Sequence, residues 1–173
     1  MQKYILSATA LLIFLTCAAA YGTLGQKAAV TDKSNDWKWI VLLQTERDEI
    51  EAVFGKSISA EPSANFQTYV TKSFKINIAF AKGGEYISRC ECYAPPNTAV
   101  SLYIAPREML LSELDFDLRG FKKDSTFAPR EITYYNVQSR TLIGTELLQE
   151  EGGSTSERVI TIQIHATKPN KPD

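Results

Sequence analysis

Two sulfurs and one imidazole are the side chains of this sequence best suited to chemistry. Cys90 and Cys92 flank Glu91, and His165 is the one histidine. A thiolate is a nucleophile, a redox centre and a soft-metal ligand. The C-x-C spacing therefore leaves three readings open: a bridge closing a very small ring, two free thiols, or half of a metal site. A ring of that size is labile and more oxidising than an ordinary structural disulfide, which is the property a dithiol redox protein uses. A zinc or copper site needs further sulfur or imidazole donors, and beyond residue 20 only His165 and Met109 could supply them. A structural pair asks for no further residue.

Other constellations are incomplete. A hydrolytic nucleophile needs a base at hydrogen-bond distance and a group that orients the base. His165 stands in a strand-like segment near the C-terminus, and no Gly-x-Ser-x-Gly turn occurs. Asp115, Asp117 and Gly120 echo the opening of a calcium loop, yet Arg119 occupies the fifth position, where an oxygen donor is needed. Thr126 occupies the twelfth, where a bidentate acid is needed. P-loop, dinucleotide glycine, H-E-x-x-H and zinc-finger spacings do not occur. The expectation is a non-enzymatic chain with no catalytic, cofactor-binding or metal-binding residues. Tyrosine is the one mild excess: Tyr69, Tyr86, Tyr93, Tyr103 and Tyr134 fall in strand-like segments, where they pack across a sheet or line a face used for binding.

The elements that must position these residues follow an export signal. Lys3 gives a positive start, residues 8–15 a short apolar core, and Ala18 and Ala20 the small residues a signal peptidase reads, so 1–20 is expected to be a signal peptide. The apolar core is shorter than the roughly 20 residues of a membrane-spanning helix, and no later stretch is a candidate. A secreted or periplasmic protein is expected. The alternative is a lipid-anchored one acylated at Cys17, which Phe14, Leu15 and Thr16 serve poorly. Residues 21–36 are small, polar and aperiodic, as in a flexible leader, and 168–173 read as a disordered tail. Residues 37–167 are left as a single domain, long enough for one core.

Charge argues against polyanionic partners. There are 19 basic and 20 acidic residues, a formal charge of −1, and losing Lys3 with the leader makes it −2. Lys122 and Lys123 form an isolated basic pair, so neither nucleic acid nor an anionic membrane is expected as a partner.

Within the domain the stretch 37–56, WKWIVLLQTERDEIEAVFGK, organises the rest. Residues 39–43 read as a strand buried on both faces. Thr45 is placed to cap a helix, with Asp48 three residues on as a weak capping box. Ile50, Val53 and Phe54 make an apolar stripe at i, i+3 and i+4, and Gly55 supplies the stop. Strands are expected at 66–71, at 74–81 where Phe74, Ile76, Ile78 and Phe80 alternate, at 98–105 after the Pro95-Pro96-Asn97 turn, and at 131–137. A less regular return carries the cysteines at 86–93. Ser112 caps a short helical turn, and 122–129 reads as a polar loop. A final hairpin pairs 141–148 with 158–166. In its return strand Ile160, Ile162 and Ile164 share one face while Val159, Thr161, Gln163 and His165 share the other. Short connections favour antiparallel pairing. The fold class is thus α+β: one principal helix packed on a curved antiparallel sheet of about six or seven strands.

The pattern T-x-x-D-x-I-x-x-V-F-G, carried by Thr45, Asp48, Ile50, Val53, Phe54 and Gly55, resembles a motif of small exported bacterial proteins. One such set, of uncharacterised secreted proteins, continues similarly with a cysteine (Cys90 or Cys92), a Pro-Asn-Thr turn into a strand (Pro96 to Val100), Pro106, and a Leu-Ser-Glu-Leu segment (Leu111 to Leu114). That resemblance implies a shared fold and export. More distantly, the helix followed by an antiparallel sheet is similar to the BamE-like small outer-membrane lipoproteins. Here the lipidation signal, a second helix before the sheet and a proline after the helix-ending glycine are missing. The expected function is an exported, non-enzymatic binding or cell-envelope-associated module with a protein or envelope partner. The alternatives are a dithiol redox protein using Cys90 and Cys92, and a lipid-anchored envelope assembly factor.

Overall fold

Alternating apolar residues decide the centre of the sheet, and the alternation runs out at its edges. The computed structural model describes residues 33–59, 61, 65–128, 130–150 and 152–168; the expected signal peptide, most of the expected leader and the tail beyond Lys168 lie outside them. In chain order the strands are β1 (Phe66–Val70), β2 (Phe74–Phe80), β3 (Glu85–Ile87), β4 (Cys92–Ala94), β5 (Ala99–Pro106), β6 (Lys122–Ala128), β7 (Glu131–Asn136), β8 (Thr141–Gln149) and β9 (Thr155–His165). Seven of them form one antiparallel sheet in the order β1-β2-β5-β9-β8-β7-β6, open at both ends. The other two, β3 and β4, pair as a separate small hairpin. With the single α-helix of the described residues, α1 (Arg47–Phe54), the architecture is α+β.

One face of the sheet is spent on the core. Ile76 and Ile78 of β2, Leu102 and Ile104 of β5, Ile162 of β9 and Ile143 of β8 are at most 1% exposed, and they meet in register across the strands. Helix α1 covers the β1–β2 end. Its Ile50 is fully buried, a burial that contributes about 1.5–3 kcal/mol. The ring of Phe54 meets those of Trp39, Tyr69 and Phe74 at 5.6, 6.1 and 5.7 Å. Further along, the cover is irregular: Met109, Leu111, Leu114, Phe116, Leu118 and Phe121 pack on the same cluster, with Trp37 stacked on Phe116 at 6.0 Å.

Residues 39–43 are not a strand. An apolar run of that length has no period to reveal its conformation. Here it turns, with Leu43 at φ 67°, so that Trp37 and Ile40 enter the main core while Leu42 and Leu43 reach a second cluster around Cys90, Cys92 and Ala166. Thr45 and Asp48 are not the capping pair either. The Thr45 carbonyl accepts from the Ala99 N–H at 3.0 Å and Glu46, itself extended, bridges Thr98. The helix therefore begins one residue later, with Glu49 Oε2 accepting from the Glu46 N–H at 3.0 Å, and the Thr45 hydroxyl accepts from the Val41 N–H at 2.9 Å. In the same way Leu110, not Ser112, precedes the short 3-10 turn Leu111–Glu113, whose Glu113 carboxylate accepts from the Leu110 N–H at 2.8 Å.

Two further differences concern the far end of the sheet. The stretch read as a polar loop at 122–129 contains β6, an edge strand: Lys122, Lys123, Asp124 and Ser125 show no apolar alternation because an edge with little cover needs none, and its lysines discourage pairing with another chain. In β9 a bulge removes the simple alternation. Gly144 pairs with Thr161 but Thr145 pairs with Val159, so Ile160 is the extra residue. Val159 consequently lies in the core at 1% exposure beside Ile162, and Ile160 is turned out at 37%.

Candidate functional site

The outer face of the sheet carries a row of rings that nothing in the inner core uses. Phe66 of β1 reaches over Ala79, its partner on β2, to the ring of Tyr103 on β5 at 5.7 Å; the small side chain between them leaves the path open. Tyr103 in turn meets His165 of β9 edge-on at 5.5 Å. Phe66 remains 46% exposed, and Val70 on the same face 41%. Leu142 and Tyr135 continue this face beyond Gln163, since Gln163 pairs with Leu142 and Leu142 with Tyr135.

At the end of the row lies a pocket of about 170 Å³ lined by Ile87, Arg89, Val100, Ser101, Tyr103, Arg140, His165 and Ala166. Four chain segments meet there. The cross-strand pair Ser101 and His165 forms its floor, with Ser101 Oγ 2.9 Å from His165 Nδ1. Arg140 comes from the β7–β8 turn, where its carbonyl accepts from the His165 N–H at 3.2 Å and its Nη1 donates to the Ala166 carbonyl at 3.1 Å. Arg89 comes from the β3–β4 hairpin. Burial, then the charges of Arg140 and Arg89, hold the His165 pKa below its ordinary value, so the ring is neutral at pH 7. Among the described residues no acidic side chain lines the pocket. Glu91, beside Cys90, pairs with Lys168 at 3.4 Å.

The Cys90–Cys92 pair holds the rim. The sulfurs are bonded to each other, each residue is 5% exposed, and Ile87, Leu42, Leu43 and Ala166 pack around them. Glu91 between them has φ 50°, and Cys90 Sγ lies 3.5 Å from the Ile87 carbonyl oxygen. The arrangement fastens the loop bearing Arg89 against the strand end bearing His165 and Ala166.

The five candidate tyrosines do not share a face. Tyr69 is fully buried on the inner side, its hydroxyl lacks a hydrogen-bond partner among the described residues, and burial followed by the charge of Glu51 pushes its pKa up to about 12. Tyr86 and Tyr93 stand opposite each other on the small hairpin, 66% and 62% exposed. Tyr134 is on the inner side, where its hydroxyl donates to Glu157 at 2.8 Å. Only Tyr103 belongs to the outer row. Asp117 of the calcium-like echo holds Arg119 at 2.7 Å, and among the described residues no group of three or more His, Cys, Asp or Glu is placed to hold a metal. Sequence reasoning missed Phe66, Arg89 and Arg140; the strand register of Phe66 was legible, whereas the two arginines sit in turns, where no periodicity tells which way a side chain points.

No protein-family model, no curated protein and no solved structure matches the chain. Among the described residues no helix is long and apolar enough to cross a membrane.

Proposed function

We propose that this chain is an exported, non-enzymatic binding module that takes a protein or cell-envelope partner on the outer face of its sheet. The supporting observation is the row Phe66–Tyr103–His165, half exposed and ending in a basic pocket, on a sheet whose opposite face is consumed by the core. Aromatic rings with a polar end suit recognition because they bring large contact area with little rotamer entropy to lose. Export is supported by Lys3, the apolar run 8–15 and the Ala18-x-Ala20 spacing. Burial of both sulfurs favours a structural bridge over a dithiol working on other proteins, since thiol exchange needs access to sulfur.

Position-specific cross-linking tests this. A photoreactive phenylalanine analogue at Phe66 or Val70 in producing cells should give one discrete adduct, and the same analogue at Val137, 73% exposed in the β7–β8 turn, should not. Equal labelling from all three positions, or none from Phe66 and Val70, refutes the outer face as the binding surface.

A further inference from the structure

We infer that the pocket between the cysteine-bridged hairpin and the sheet end binds one oxyanionic group, a carboxylate or phosphate carried by the partner. The inference rests on the reading of the outer face as the binding surface and names the chemistry it selects. Two guanidinium groups from separate turns approach one neutral imidazole, and no carboxylate of the described residues pairs with either: the ion pairs formed are Lys38–Asp115, Arg119–Asp117, Lys123–Glu157, Arg158–Glu146 and Lys168–Glu91. Like charges gathered without a counter-charge destabilise the fold that holds them, and an anion in the pocket reverses that sign.

The donors match an oxyanion in kind as well as charge. Guanidinium presents a planar fork of N–H groups suited to two oxygens at once, and Ser101 adds a hydroxyl in the pocket floor. Arg140 is held at φ 49°, a conformation that costs a residue with a Cβ about 1 kcal/mol and that glycine would adopt freely. A volume of about 170 Å³ admits a single acid group but falls below the roughly 300 Å³ at which small-molecule pockets begin. The body of the ligand then lies outside, along Tyr103 and Phe66.

His165 is the one histidine, so its imidazole proton resonances are a unique reporter. The purified chain lacking residues 1–20 is titrated with sodium phosphate, and separately with sodium acetate, against sodium chloride at equal ionic strength. A saturable shift of the His165 signal with either oxyanion and none with chloride supports the site: phosphate alone assigns a phosphate group, acetate as well as phosphate a carboxylate. Affinity should fall about tenfold or more in Arg89→Gln and again in Arg89→Gln/Arg140→Gln, with the amide spectrum otherwise retained. Arg140→Lys, which keeps the charge, should lie between. No saturable shift, or an equal shift in the double variant, overturns the inference. Because no partner is present in this titration, its failure leaves the cross-linking result at Phe66 standing, and a failed cross-link leaves the titration standing.

Discussion

Two polar clusters sit on the same strand and could hardly differ more in how their charges are settled. Near one end of β9, Glu157 lies under the inner face: Tyr134 donates to both its oxygens at 2.9 and 2.8 Å, Thr145 donates at 2.9 Å, and Lys123 pairs with it at 3.3 Å. Near the other end, His165 lies on the outer face between two arginines, and no acid of the described residues lines the pocket. Residues 157 and 165 are separated by an even number of positions and would share a face in a regular strand. The bulge opposite Gly144 sends them to opposite faces. The inner cluster is thus closed by the chain itself, as suits a half-buried carboxylate, and the outer one is left positive for something else to close.

Removing the inner anion should have the largest effect. Glu157→Ala leaves Tyr134 and Lys123 without this acceptor and Thr145 with only the Ile132 carbonyl at 3.3 Å, and a loss of about 2 kcal/mol is expected in urea unfolding. A loss below about 0.5 kcal/mol would mean that the network does not hold the sheet end together. Next comes the bulge that separates the two clusters. A Cβ at Gly144 would meet Thr161 Cγ2 at 2.8 Å, and since that methyl belongs to a stiff β-branched side chain, Gly144→Ala should cost about 1 kcal/mol or more. If instead it leaves stability and the His165 resonance unchanged, the bulge is not what fixes the faces.

Acid should distinguish the clusters by where it acts. His165 has its pKa lowered in the fold, so the unfolded chain binds the proton more readily. Its contribution is complete above the ordinary value of 6.5 and is lost as pH falls toward the folded pKa. For Glu157 burial is the largest influence and raises the pKa, but the hydrogen bonds from Tyr134, Thr145 and Lys123 together bring it below the ordinary carboxyl value. Its contribution is therefore complete above about 4.5 and is lost on further acidification. Urea midpoints followed against pH should decline in two stages, with His165→Gln flattening the first and Glu157→Gln the second. A single stage, or the stages assigned to the opposite variants, would erase the distinction. The smallest effect is expected from Arg89→Gln, which should change stability by less than about 0.5 kcal/mol because Arg89 is exposed and pairs with no acid among the described residues. A larger loss would make that arginine part of the fold's own support.

The legibility of the sequence follows the same division. The β2 alternation, the Asn97 turn (φ 58°) and the Ile50–Phe54 stripe were readable because each is a local pattern with a local cause. The edge strand β6 was not, because water on its flanks removes the need for apolar residues. The bulge was not, because it is set by the partner strand. Both clusters depend on that unreadable step: once Val159 and His165 are assigned to one face, Glu157 is left without a role and Arg140 without a target. Tyrosine count was a poor guide for a related reason, since neighbours such as Tyr134 and Tyr135 point to opposite sides of a strand.

The His165 pKa, measured by proton NMR on the chain lacking residues 1–20 and on its Arg89→Gln/Arg140→Gln variant, tests most directly whether positive charge is left unsettled at the outer site. The account predicts a value below 6.5 in the parent chain that climbs toward 6.5 when both guanidinium groups are removed. A parent value at or above 6.5 that the double substitution does not move would contradict it.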